Sequence, residues 1–192
     1  SAFGCAGQRC MAFPVAVVQE SVADAFVERL RRAVSGIRVG CAYDPASTMG
    51  PLVSAARRDA VRRWIARGEE QGAQLLADGR DIVVPGCEQC FFVGPTLFDR
   101  VDGSMDVAHE EIFGPVLCIR RVRDFEEGLA AMNRNPYANG STVFTASGRL
   151  AREFARRSHG GMIGVNVGIP VPVSFFPFAG HKASFLGDMH AL

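Results

Sequence analysis

The chain has 192 residues, 48% of them apolar, which is enough for a sizeable core and excludes a disordered, collagenous or low-complexity chain. Its 21 basic residues meet 20 acidic ones, and a net charge of +1 gives no electrostatic reason to expect nucleic acid or an anionic membrane as partner. No apolar run reaches the roughly 20 residues of a membrane helix and no export signal opens the chain, so a cytoplasmic setting is expected. Six cysteines, Cys5, Cys10, Cys41, Cys87, Cys90 and Cys118, are too sparse for a disulfide scaffold. Every basic residue except Lys182 is arginine.

Ser1 to Ala12 is a mixed segment around Gly7-Gln8-Arg9-Cys10. The apolar run Pro14 to Val18 predicts a strand, and Ser21 with Asp24 predicts the cap of a helix whose stripe is Val22, Phe26, Leu30 and Val34. Gly36 stops that helix. A loop rich in Gly, Pro and Ser (Gly40 to Ser54) leads to a second helix, in which Ala60 with Trp64 and Val61 with Ile65 give i,i+4 spacing up to Gly72. Short β pieces are predicted at Gln74 to Leu76, Ile82 to Val84 and Phe91 to Phe98. A strand at Val116 to Ile119, a helix from Asp124 to Asn133, a strand at Ser141 to Thr145, a helix from Ser147 to Ser158 and a strand at Met162 to Val167 follow. This alternation predicts an α/β fold, a mainly parallel sheet with helices on both faces. From Gly168 onward the tail reads as irregular, with Pro170, Pro172, Pro177 and a phenylalanine cluster.

Cys10 is the strongest candidate for chemistry. A cysteine attacks only as thiolate, and an adjacent cation, here Arg9, or amides at a helix start lower its pKa. By composition alone, a cysteine among small residues is more often a buried small hydrophobe. The rest of the chain reverses that preference. Gly7-Gln8-Arg9-Cys10, Glu110-Glu111-Ile112-Phe113-Gly114-Pro115-Val116, Asn135-Pro136-Tyr137 with Val143-Phe144-Thr145, and Gly161-Met162-Ile163-Gly164-Val165-Asn166 stand in the order found in the aldehyde dehydrogenase superfamily, which the chain resembles from about residue 3 to 188. The segment from Asn166 to Phe178 and the pentapeptide Ser184-Phe185-Leu186-Gly187-Asp188 resemble the branch of methylmalonate-semialdehyde dehydrogenases, which are NAD-dependent and pass the acyl group to coenzyme A.

The resemblance implies a Rossmann-like catalytic domain over residues 1–192, with 168–192 as substrate-tunnel loop and shortened C-terminal tail. It implies Cys10 as nucleophile, Glu111 on the nicotinamide ribose and Phe113 against the nicotinamide end. Arg9 matches a position suited to a substrate carboxylate, which a guanidinium grips bidentately, and Phe178 matches the wall of the substrate tunnel. Without the motifs, Glu111 would read as a solvated carboxylate, Phe113 and Phe178 as core rings, and Arg9 as a surface arginine. His181 stands where a larger aromatic or another polar residue is expected.

Cys87-Glu88-Gln89-Cys90 has redox or half-zinc spacing, but no second pair lies nearby and the segment reads as a turn, so two ordinary thiols are expected. His109, His159, His181 and His190 have no metal-holding spacing, and no metal is expected. Gly160-Gly161 precedes a strand, unlike a phosphate-binding turn. Only nine residues precede Cys10, so the cofactor domain that the family places before the nucleophile is expected to be absent, NAD to be held mainly by that domain, and the isolated chain to be inactive. The alternatives are part of a hydrolytic aldehyde dehydrogenase, or a non-catalytic domain for assembly or thiol redox sensing. The expected partner is a small aldehyde within a homo-oligomer, and Val171 to Phe178 is the apolar segment expected at the surface.

Overall fold

The computed structural model describes residues 1–184, 186 and 189–190. Contacts gather the chain into two compact units, residues 2–123 and residues 124–192 with Ser1. Among the described residues, no helix is long and apolar enough to cross a membrane.

The first unit is built on a four-stranded sheet. Strand β1 (Val15–Gln19) runs straight into helix α1 (Glu20–Ser35), and helix α2 (Ala55–Glu70) precedes β2 (Gln74–Ala77), β3 (Thr96–Asp99) and β4 (Val116–Val122). The order is β1-β4-β3-β2, with β4 parallel to both neighbours and β2 antiparallel to β3. Because side chains alternate across a strand, β3 and β4 feed two cores. Phe98, Val116 and Cys118 pack with Val61 and Ile65 of α2, while Leu97, Leu117 and Ile119 pack with Val27 and Leu30 of α1. The predicted α/β class with helices on both faces is therefore the one observed.

Details depart from the sequence reading. Gln19, not Ser21, precedes the first helical turn of α1 and gives no side-chain cap bond. The inward stripe is Ala23, Val27, Leu30 and Val34, while Val22 and Phe26 lie outward. A small alanine can line a helix seam that close packing leaves little room in. Ser54 does cap α2, accepting from the Arg57 amide at 3.2 Å. Ile82 to Val84 forms no strand, and of Phe91 to Phe98 only Thr96 onward pairs in the sheet.

In the second unit, Asp124 caps helix α3 (Phe125–Asn133) and Ser147 caps helix α4 (Gly148–Arg157) through their side-chain oxygens. Strand β6 (Gly140–Val143) pairs in parallel with β7 (Met162–Val165). The tail is more ordered than expected: β5 (Tyr137–Ala138) pairs with β9 (His181–Lys182), and β8 (Pro177–Phe178) with β10 (Met189–His190). Val171, Val173, Phe175 and Phe176 are exposed, as expected of that segment.

One ion cluster ties the first unit together. At the end of β3, Asp99 is buried, and Arg121 of β4 donates to it from Nη2 at 2.7 Å and from Nε at 3.1 Å. The same guanidinium reaches Glu20 at 3.0 Å and Asp24 at 2.8 Å on α1. Burial pushes the Asp99 carboxyl up, but the hydrogen bonds and charge of Arg121 outweigh it and hold the group below its ordinary value. A depressed carboxyl stabilises the fold fully above its unfolded pKa of about 3.9, and that contribution is lost as pH falls through the lower folded value. Asp99→Asn should therefore cost about 3 kcal/mol at neutral pH. In urea titrations the gap between parent and variant should close in acid; a constant gap across pH would remove the ion pair from this role.

Candidate active site

Cys10 lies in a turn after a short 3-10 segment (Gly4–Gly7), and the Ala12 amide closes that turn on the Arg9 carbonyl at 3.0 Å. Cys10 is thus in a turn and not at a helix start. Burial fixes the loop on both sides of the thiol. Ala6 and Met11 are 1% and 4% exposed, whereas Arg9 and Cys10 face solvent. The Arg9 side chain folds back beside Gly4.

Cys5, Ala6 and Gly7 all have left-handed backbone, with φ of 52°, 53° and 73°. At Gly7 the reason for glycine is close approach as well as sign, since a Cβ there would sit 2.0 Å from the Gly114 carbonyl oxygen. Backbone therefore packs directly on backbone between the Cys10 loop and the Phe113-Gly114-Pro115 turn. Gly114 in turn has Val61 of α2 against it, 2.5 Å from where its Cβ would be.

The Glu111 to Gly114 segment alternates. Ile112 is 2% exposed and belongs to the core that α2 covers, so Glu111 and Phe113 on either side of it are turned outward. Phe113 also has φ of 51°, a region costly for a non-glycine residue, and Arg57 Nε donates to its carbonyl at 3.4 Å. Cys10, Glu111 and Phe113 therefore stand on two segments of one unit that are locked together.

Gln8 was legible only as part of a motif. Its Oε1 accepts from the Val53 amide at 3.1 Å and its Nε2 donates to the Cys5 carbonyl at 3.4 Å, so it ties the loop to the entry of α2. Arg57 carried no sequence signal at all.

Phe178 lies in the other unit, half-buried in β8. There His181 Nδ1 stands 3.1 Å from the His159 carbonyl oxygen, and Lys182 Nζ donates to the carbonyls of Asn133 at 2.5 Å and Asn135 at 2.8 Å. Of the pentapeptide at 184–188, Phe185, Gly187 and Asp188 lie outside the described residues. Among the described residues, no group of three or more His, Cys, Asp or Glu is placed to hold a metal. Cys118 is an inert core thiol, its pKa pushed up to about 12 by burial.

The model of the aldehyde dehydrogenase family matches residues 1–191, and the chain, with its mainly parallel sheet covered on both faces, belongs to that family. Among curated proteins it is 44% identical over 191 residues to malonate-semialdehyde dehydrogenase 2 of Bacillus mycoides (strain KBAB4), and 45% identical over 192 residues to the malonate-semialdehyde dehydrogenase of Pseudomonas aeruginosa. Both matches cover 100% of this chain, which spans 39% of the length of those relatives. Among solved structures, the methylmalonate-semialdehyde dehydrogenase of Oceanimonas doudoroffii superposes with a TM-score of 0.95 at 40% identity, covering 98% of this chain and 39% of that one. A Mycobacterium tuberculosis aldehyde dehydrogenase complexed with NAD+ gives 0.90 at 32% identity, covering 96% of this chain and 38% of that one.

The contact between the two segments has a direct test. Gly72 also has positive φ, 94°, but nothing lies within 4 Å of its would-be Cβ. Gly72→Ala should therefore carry backbone strain alone, on the order of 1 kcal/mol, and Gly7→Ala that strain plus a collision, on the order of 3 kcal/mol. Equal losses in urea unfolding would mean that the Gly7–Gly114 approach constrains nothing.

Proposed function

We propose that residues 1–192 are the catalytic domain of an NAD-dependent, acylating dehydrogenase for malonate or methylmalonate semialdehyde, with Cys10 as its nucleophile. One observation carries this reading: thiol, carboxylate and ring are all exposed on two locked segments whose intervening residues are core. The names of the relatives support the semialdehyde class, and the NAD+ held by a neighbouring structure supports the cofactor.

The chemistry follows from the residues. The Cys10 thiolate adds to the aldehyde carbonyl, forming a tetrahedral adduct bonded through sulfur. NAD, when bound, supplies the hydride acceptor for that adduct. The exposed Glu111 carboxylate suits ribose hydroxyl donors, and the outward Phe113 ring suits an apolar contact at the nicotinamide end. Cys10 then holds the acyl group as a thioester, and the thiol of coenzyme A displaces it as acyl-CoA. Arg9, exposed beside the nucleophile, pairs with the substrate carboxylate. Phe178 contributes to the wall of the substrate tunnel, and the exposed Val171 to Phe176 segment forms part of a homo-oligomer contact.

A single carboxylate and a single ring are too little to hold a dinucleotide, so turnover belongs to the whole enzyme and not to this chain alone. In the whole enzyme, Cys10→Ala should abolish aldehyde oxidation while the variant stays folded by circular dichroism. Appreciable residual turnover would remove Cys10 from the mechanism. The product identifies the acceptor, since release of the free acid in the presence of coenzyme A would replace the acylating reading with a hydrolytic one.

Arg9→Leu removes one charge-assisted contact, worth about 1.5 to 3 kcal/mol or roughly 10- to 150-fold in kcat/KM. That loss should fall on malonate or methylmalonate semialdehyde and spare propanal. Equal losses on both would instead place Arg9 in support of the Cys10 loop.

A further inference from the structure

A second thiol site lies on the loops of the first unit. Cys87 and Cys90 are the ends of a turn in which the Cys90 amide donates to the Cys87 carbonyl at 2.9 Å. Such an i to i+3 turn holds its end Cα atoms less than about 7 Å apart, which overlaps the roughly 4.4 to 6.8 Å that a disulfide spans. Folding adds a third sulfur. The thiols of both Cys90 and Cys41 neighbour that of Cys87, Cys41 being carried by a loop far away in sequence. The two loops are fastened to each other, the Leu52 amide donating to the Phe91 carbonyl at 2.9 Å. Cys90 is exposed, while Cys87 and Cys41 are half-buried. The three sulfurs are not placed as metal ligands, which leaves sulfur–sulfur chemistry as what the cluster offers.

We propose that Cys41, Cys87 and Cys90 form a peroxide-responsive disulfide site, with Cys87 as the central sulfur that bonds to Cys90, and to Cys41 where Cys90 is replaced.

The steps balance. The exposed Cys90 thiolate attacks one oxygen of hydrogen peroxide, the O–O bond breaks, hydroxide leaves, and the sulfur becomes a sulfenic acid. Cys87 sulfur then attacks the Cys90 sulfur. The S–S bond forms, the S–OH bond breaks, and the departing hydroxide leaves as water with the Cys87 proton. Two thiols are oxidised by two electrons and one peroxide is reduced to two waters. Burial and then the neighbouring Cys90 and Cys41 thiols push the Cys87 thiol up, which suits it to the second, resolving role. Where Cys90 is replaced, the Cys41 thiolate attacks the peroxide in its place, hydroxide leaves, and Cys87 sulfur displaces the hydroxide of the Cys41 sulfenic acid, which departs as water with the Cys87 proton.

The site is two hydrogen bonds away from the nucleophile loop, through Leu52 with Phe91 and Val53 with Gln8. Its chemistry is nevertheless independent of aldehyde oxidation, and so is its test. The reduced chain is treated with a small excess of hydrogen peroxide, alkylated, and digested with trypsin without reductant. No arginine or lysine lies between Arg80 and Arg100, so one peptide, 81–100, carries both Cys87 and Cys90, and another, 39–57, carries Cys41. Of the six thiols of the sequence, those of Cys87 and Cys90 should be lost to alkylation together, with peptide 81–100 unalkylated and lighter by two hydrogens. Dithiothreitol should restore all six. In Cys90→Ser, peptides 39–57 and 81–100 should instead come off as one cross-linked species, and in Cys41→Ser the parent pattern should persist. Recovery of peptide 81–100 with both cysteines alkylated, or with oxygen added and no bond closed, would overturn the proposal. So would the absence of the cross-linked species in Cys90→Ser. None of these positions is in the packed core, and the parent chain alone already decides the Cys87–Cys90 step.

Discussion

Between Gly7 and the Gly114 carbonyl there is no room for a methyl group, and the candidate site depends on that contact. It forces the nucleophile loop and the Glu111 to Pro115 turn to share one position. Ala6 and Met11 on one segment and Ile112 on the other then sink into the core, leaving Cys10, Glu111 and Phe113 as the residues that face out. The left-handed backbone at Cys5, Ala6 and Phe113 is held because the packing around it over-determines the chain's path. A site of this kind is preorganised by main-chain contact, the least adjustable element a fold possesses.

The sheet beneath supplies the base for that contact. Val61 backs Gly114 and also belongs, with Phe98 and Val116, to the core under α2. On the opposite side, Arg121 gathers carboxylates from β3 and α1 onto the end of β4. Exposed pairs in such a cluster contribute little, but the bidentate bond to buried Asp99 is shielded from water and sets the relation of strand to helix.

The class of fold was legible because βα alternation and apolar runs are local properties. Val116 to Ile119, Asp124 to Asn133 and Ser147 to Ser158 lie close to the observed β4, α3 and α4. What was not legible depends on partners distant in sequence. Ile82 to Val84 has strand composition, yet strand formation needs a neighbour, and none pairs with it among the described residues. The opposite holds for Tyr137–Ala138 and His181–Lys182, which look unlike strands and pair across the unit. On α1, Leu30 and Val34 face inward as predicted, but the first half of the stripe fell one residue out of phase because Ala23 faces inward where Val22 had the more apolar side chain. The candidate site residues could be named only through the family resemblance of their motifs. Gln8 as a tether, Arg57 on the Phe113 carbonyl, and Cys41 as third sulfur could not, since each acts on a group at least 45 residues away.

Lys182 is the sole lysine of the chain, and its ammonium satisfies the carbonyl of Asn133, the last residue of α3, as well as that of Asn135. A compact cation with three donors is suited to neighbouring carbonyls in a way that a planar guanidinium is not, which fits the appearance of lysine here in a chain otherwise committed to arginine. For chemical biology this makes the tail addressable: an amine-directed acylating reagent finds one side chain, and by cancelling its charge detaches β9 from the helix end it anchors.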